Sequence, residues 1–174
     1  MQSGQVVKIW DPLVRWLHWG LVASIAIAWI AGEAWLRTHE IAGYVALGIV
    51  AVRLVWGFVG SVHARFGDFV RRPAVIWRYA VDVVRAREAR HLGHNPLGGW
   101  MVLALLASVA VTGFSGWLYT TDRFWGLAWV DLLHRASAWT MVALIVLHLG
   151  GVLFTSLRHR ENLVASMLSG RKRR

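Results

Sequence analysis

Val130-Asp-Leu-Leu-His134-Arg-Ala-Ser-Ala-Trp-Thr-Met-Val-Ala-Leu-Ile-Val-Leu-His148-Leu-Gly-Gly-Val-Leu-Phe-Thr-Ser-Leu157 decides how this chain is built. Roughly 20 apolar residues make one helical membrane span, and this run exceeds that. Inside it stand two histidines, 14 residues apart. At 1.5 Å per residue they lie about 21 Å apart along a helix axis, most of a hydrocarbon core about 30 Å thick. At about 100° per residue the rotation between them is about 1,400°, only about 40° short of four full turns. Both therefore face the same way, and Ala138, Met141 and Ile145 fill the stripe between them.

Outward from this run the whole chain has the same character. Apolar types make up 57% of the 174 residues and charged types 16%, which excludes an ordinary soluble domain. Three further apolar segments read as spans, from about Leu13 to Ala34, His39 to Val59 and Leu97 to Tyr119. The expectation is one all-α membrane domain, 1–174: a four-helix bundle with a loop at 60–96 and a basic tail at 158–174. The first segment does not read as a signal peptide, because it lacks a basic start and a small-residue cleavage site. There is no cysteine, which excludes disulfides, thiolate metal sites, iron–sulfur clusters, a catalytic thiol and covalent c-type haem.

The net charge of +10 is arranged as a topology signal, and nucleic acid is not an expected partner. If the N-terminus, the 60–96 loop and the tail share one side, that side holds fifteen of the basic residues, with Arg53 near the same face as the sixteenth. The other keeps Arg37, Arg123 and Arg135 against Glu33, Glu40, Asp122 and Asp131. This bias predicts both termini in the cytoplasm of a multi-pass protein of the bacterial inner membrane. The tail Gly170-Arg-Lys-Arg-Arg174 reads as a topology anchor. After Pro73, apolar Val75, Ile76, Tyr79, Ala80, Val83 and Val84 recur at helical spacing, with Arg78, Arg85 and Arg87 opposite. An amphipathic helix between spans two and three, lying on the inner surface with its arginines toward anionic lipid, is predicted.

Histidine in an apolar span is costly unless something uses it. His18 enters near the cytoplasmic end of the first span, at the depth of His148. His39 opens the second at the outer end, near His134. Matched depths and a shared face point to two stacked haems, His18 with His148 inside and His39 with His134 outside. Two imidazoles per iron give closed coordination suited to electron transfer. Taken singly, each could be an interfacial histidine bonded to a carbonyl, and for His39 that reading is a serious rival. One zinc ion cannot be shared by ligands about 21 Å apart. Gly43, Gly150 and Gly151 would let a flat macrocycle approach the backbone.

Arg53 stands 14 residues after His39 on the same face, level with the inner site. It either neutralises a haem propionate or binds a quinone oxygen, or it snorkels to headgroups. His91 and His94 relay protons or touch a quinone, or they mark a polar helix start set by Asn95 and Pro96. Trp10, Trp16, Trp19, Trp35, Trp125 and Trp129 read as interfacial anchors, and Trp29, Trp56 and Trp139 as candidates to pack on a porphyrin.

Trp10-Asp-Pro-Leu-Val-Arg-Trp-Leu-His18-Trp resembles the first span of the bacterial cytochrome b561 and nickel–iron hydrogenase cytochrome b family. So do His39-Glu-Ile-Ala-Gly-Tyr, Arg53-Leu-Val-Trp-Gly and His159-Arg-Glu-Asn-Leu-Val with Gly170-Arg-Lys-Arg. The resemblance implies a four-helix membrane bundle with two bis-histidine b haems, the cytoplasmic one on His18 and His148 and the periplasmic one on His39 and His134. It implies electron transfer across the inner membrane between the quinone pool and a periplasmic redox partner, such as a c-type cytochrome. Two alternatives come from the same family: a self-contained superoxide oxidase passing electrons from superoxide to quinone, and the membrane cytochrome subunit of a hydrogenase-like complex. The first matches in size, in the His39-to-Arg53 spacing and in the basic tail, but this chain has a shorter first outer loop and a different approach to the third span. A haem-free membrane anchor would be colourless.

Overall fold

Asp11 and Pro12 start the first long helix for two separate reasons. Proline at the first helical position loses no hydrogen bond, and the Asp11 carboxylate accepts the Val14 amide at 2.8 Å. The computed structural model describes residues 6–173, with helices α1 (Pro12–Ala31), α2 (Leu36–Val59), α3 (Phe66–Phe69), α4 (Pro73–Val84), α5 (Pro96–Tyr119), α6 (Ala128–Arg158) and α7 (Leu163–Ser169). Of these, α1, α2, α5 and α6 are long and apolar enough to cross a membrane. The chain is a mainly helical multi-pass membrane protein. Helix α1 ends at Ala31, short of the expected Ala34, because Gly32 turns to φ +46°. Helix α2 begins at Leu36, which sets His39 inside its first turn. Helix α6 is unbroken from Ala128 to Arg158 and carries both His134 and His148.

The chain resolves into two units. One comprises the described residues of 1–15 and 174 down to 146, together with 55–103; the other comprises 16–54 and 104–145. In the first unit the chain ends meet, a feature outside the all-α expectation. Strand β1 (Val6–Lys8) pairs antiparallel with β2 (Arg171–Arg173), Val7 opposite Lys172. The amides of Ile9 and Trp10 continue the connection to the Gly170 carbonyl. Gly170 is required there: its φ is +79°, and a Cβ would lie 2.8 Å from the Trp10 carbonyl oxygen. Lys172 is buried and pairs with Glu161 at 3.3 Å, and Glu161 also pairs with Arg90. Burial pushes the Lys172 ammonium down and Glu161 only partly restores it.

Helix α4 lies where an amphipathic helix was expected, but its faces are used differently. Tyr79 is buried and its ring meets His91 at 5.4 Å, with Ile76, Ala80 and Val83 partly buried beside it. The predicted stripe thus packs partly on the protein. Trp77 and Val84 are 75% and 86% exposed.

The second unit is held together by small residues. Ala42, Ala46 and Val50 form a buried ridge on α2, while Ala31 and Ser24 are buried on α1. Gly113 lets α5 approach α2 closely, since a Cβ there would lie 2.6 Å from Leu47 Cγ. The Thr112 hydroxyl donates to Ser137 at 3.0 Å and ties α5 to α6.

Candidate functional site

His39 and His134, on α2 and α6 of the second unit, stand together with ring centroids 6.0 Å apart and planes at 74°. Each is oriented by a main-chain carbonyl. His39 Nδ1 donates to Ala28 on α1 at 2.8 Å, and His134 Nδ1 donates to Thr112 on α5 at 2.9 Å. A carbonyl only accepts, so Nδ1 carries the proton in both rings and Nε2 keeps its lone pair. This is the outer-shell arrangement that turns a histidine into a metal ligand. Ser115, fully buried, lies 3.4 Å from His134 Nδ1 and donates its own proton to the Thr112 carbonyl.

The pair fits a six-coordinate haem iron. With metal–imidazole bonds of about 2 Å and a ring centroid about 1 Å beyond each nitrogen, rings on opposite sides of one iron have centroids about 6 Å apart. Ligation through Nε2 would set no angle between the two ring planes, so 74° would be admissible. Beside them, a Cβ on Gly43 would meet nothing within 4 Å, leaving the open ground a flat group needs one turn after His39. The described residues contain no cluster of three or more His, Cys, Asp or Glu able to hold a bare ion. A metal held by this pair would need further ligands, which a porphyrin would supply.

Gly116 completes the site. A Cβ on it would stand 3.0 Å from His134 Cε1 and 3.2 Å from Nδ1, so glycine lets the ring sit closer than a side chain would without a shift of a few tenths of an ångström. Sequence reasoning missed Thr112, Ser115 and Gly116, although Thr112-Gly-Phe-Ser115-Gly116 gathers two hydroxyls and two glycines in one short stretch of an apolar span.

The other predicted residues are placed as follows. His18 lies on α1 in the second unit, half-buried, its ring edge-on to Trp19 at 5.0 Å. The Trp19 indole nitrogen is buried and meets no acceptor among the described residues. His148 is half-buried on α6 in the first unit. Gly150 and Gly151 after it are open, with nothing near a built Cβ. Arg53, on α2 in the second unit, is 6% exposed. Trp29 and Trp139 pack edge to face at 5.2 Å, whereas Trp56 donates to Asp11 at 3.1 Å. The ring of His94 stands 4.8 Å from Trp10 and 4.5 Å from Phe69, and His91 donates to the Ala89 carbonyl.

The family profile of prokaryotic cytochrome b561 matches residues 9–170. Similar curated proteins are the probable Ni/Fe-hydrogenase B-type cytochrome subunits of Bradyrhizobium diazoefficiens (24% identical, over 95% of this chain and 85% of that protein) and Azotobacter vinelandii (27%, over 94% and 87%). That of Cupriavidus necator is 25% identical over 97% of this chain and 88% of its own. No solved structure matches.

Proposed function

Because the chain belongs to the prokaryotic cytochrome b561 family, and is by that membership a membrane cytochrome serving electron transfer, we propose that it carries electrons across the bacterial inner membrane between the quinone pool and a periplasmic redox partner. Two b haems take part in this reading, an outer one on His39 and His134 and an inner one on His18 and His148. When bound, a b haem supplies a one-electron couple between ferric and ferrous iron.

The observation that carries the reading is the His39–His134 pair, both Nδ1 atoms committed to carbonyls and the rings at a separation of 6.0 Å. Two neutral imidazoles on one iron would leave no position for oxygen, which favours electron transfer over oxygen chemistry. Buried Arg53 supplies a positive charge for an inner-haem propionate or a quinone oxygen. The distribution of Lys and Arg supports cytoplasmic termini, which puts His39 and His134 toward the periplasm.

The names of the relatives favour one version of the partner, a redox subunit of a hydrogenase-like complex. The competing reading is a superoxide oxidase, which needs no partner. Purified protein given superoxide and a soluble quinone analogue separates them. A carrier stays oxidised until a reduced redox partner is added, whereas rapid haem reduction and quinone turnover without a partner would overturn the carrier reading.

A further inference from the structure

Helix α4 carries two parallel exposed stripes that electron transfer does not use. Trp77 and Val84 are seven residues apart, and at about 100° per residue they point within about 20° of each other. They are 75% and 86% exposed, on the side of α4 away from buried Tyr79. Arg78 and Arg85 repeat the same spacing one position on, so a row of guanidinium groups runs beside the apolar row. Both arginines are exposed, and neither makes an ion pair among the described residues. The acid on α4 itself, Asp82, is half-buried, and nearby Asp68 is occupied by Arg65 at 2.8 Å.

We propose that this face is a docking strap for anionic phospholipid headgroups, with Trp77 and Val84 seated at the acyl boundary and Arg78 and Arg85 on phosphates. Two arguments choose lipid as the occupant. The first is connection: α4 follows membrane span α2, which ends at Val59, and precedes span α5, which starts at Pro96, so the helix is tethered at a bilayer surface. The second is charge. An indole prefers the headgroup level, and arginine stems bury along apolar surface while their heads reach phosphate. Each basic residue near an anionic surface adds to that attraction, whereas zwitterionic lipid offers no net field. The strap is the Trp77–Val84 face and not the Tyr79 stripe, which the protein already covers.

The chain has no native cysteine, so Val84→Cys gives a single labelling site that leaves Trp77 in place. The full-length protein carries an environment-sensitive fluorophore there, in vesicles of phosphatidylcholine alone or of equal phosphatidylcholine and phosphatidylglycerol. In the mixed vesicles a lipid-borne nitroxide quenches the label strongly, and aqueous acrylamide reaches it several-fold less than in pure phosphatidylcholine. Arg78→Gln with Arg85→Gln, or Trp77→Ala, restores acrylamide access while the visible absorption of the protein stays unchanged. A label equally open to acrylamide in both compositions, as a solvated loop or a face reserved for a soluble protein would give, overturns the proposal. So does quenching indifferent to the phosphatidylglycerol or to the arginine variants.

Discussion

At the residue scale the decisive chemistry is which nitrogen of each imidazole is engaged. An apolar span makes any histidine conspicuous, because leaving it unused costs free energy, and this is why His18, His39, His134 and His148 stood out from sequence. The acceptors that orient them were illegible. Every residue carries a carbonyl, and only folding selects those of Ala28 and Thr112. Gly116 was equally hidden, since its role is the space it leaves beside His134. Two predictions belong here. His134→Ala is expected to remove one of two haems and leave the other, giving half the haem per chain with helix content intact. Loss of both from a folded protein would contradict independent sites. In Gly116→Leu the new side chain occupies the ring's position and should also halve the haem. Gly116→Ala should retain both, because the ring need yield only a few tenths of an ångström, and a changed low-spin electron paramagnetic resonance signal would report that shift. If Gly116→Leu bound haem in full with an unaltered signal, His134 would not be the ligand.

At the element scale the start of α1 shows what fastens a spanning helix to its surroundings. Asp11 accepts the Val14 amide, the Trp56 indole from the end of α2 and the Ser61 hydroxyl beyond it. Partial burial pushes its carboxyl up, but these hydrogen bonds outweigh it and hold the group below the ordinary value of 3.8. A carboxylate whose folded pKa is depressed stabilises the fold above its unfolded pKa and loses that contribution as pH falls through the folded value. Asp11→Ala should therefore cost about 3 kcal/mol at neutral pH, a cap plus two side-chain hydrogen bonds. The gap to the parent should narrow as pH drops below 3.8, read as thermal unfolding in detergent by circular dichroism. A gap independent of pH would mean the ionised form is not what the site holds. The spans were legible because their length and apolarity are dictated by the bilayer. Their ends were less so, since Gly32 and the first turn before His39 are local backbone choices. The two faces of α4 could not be told apart from sequence, because Tyr79 and Trp77 are both aromatic and only packing buries one.

At the scale of the whole molecule, the tail is more than loose basic charge. Residues 171–173 form a strand against Val6–Lys8, and Lys172 is buried against Glu161. A pairing between residues so far apart in the chain, in strands of three, leaves no periodic signal, which is why only the tail's charge was readable. The pairing brings Val6–Lys8 and Arg171–Arg173 together. Removing one partner of a buried ion pair costs on the order of 3 kcal/mol, and Glu161→Gln would strip the partner from both Lys172 and Arg90. The expected result is release of β2 and faster tryptic cleavage within 171–173 than in the parent, read as intact mass. Gly170→Ala should act alike, since its Cβ would collide with the Trp10 carbonyl. With the charge bias setting the orientation, that cleavage should occur in inverted inner-membrane vesicles and be absent from sealed right-side-out ones. Cleavage in right-side-out vesicles alone would reverse the orientation, moving His39 and His134 to the cytoplasmic side and the electron route with them. Equal rates in parent and Glu161→Gln would show instead that the sheet stands without its buried ion pair.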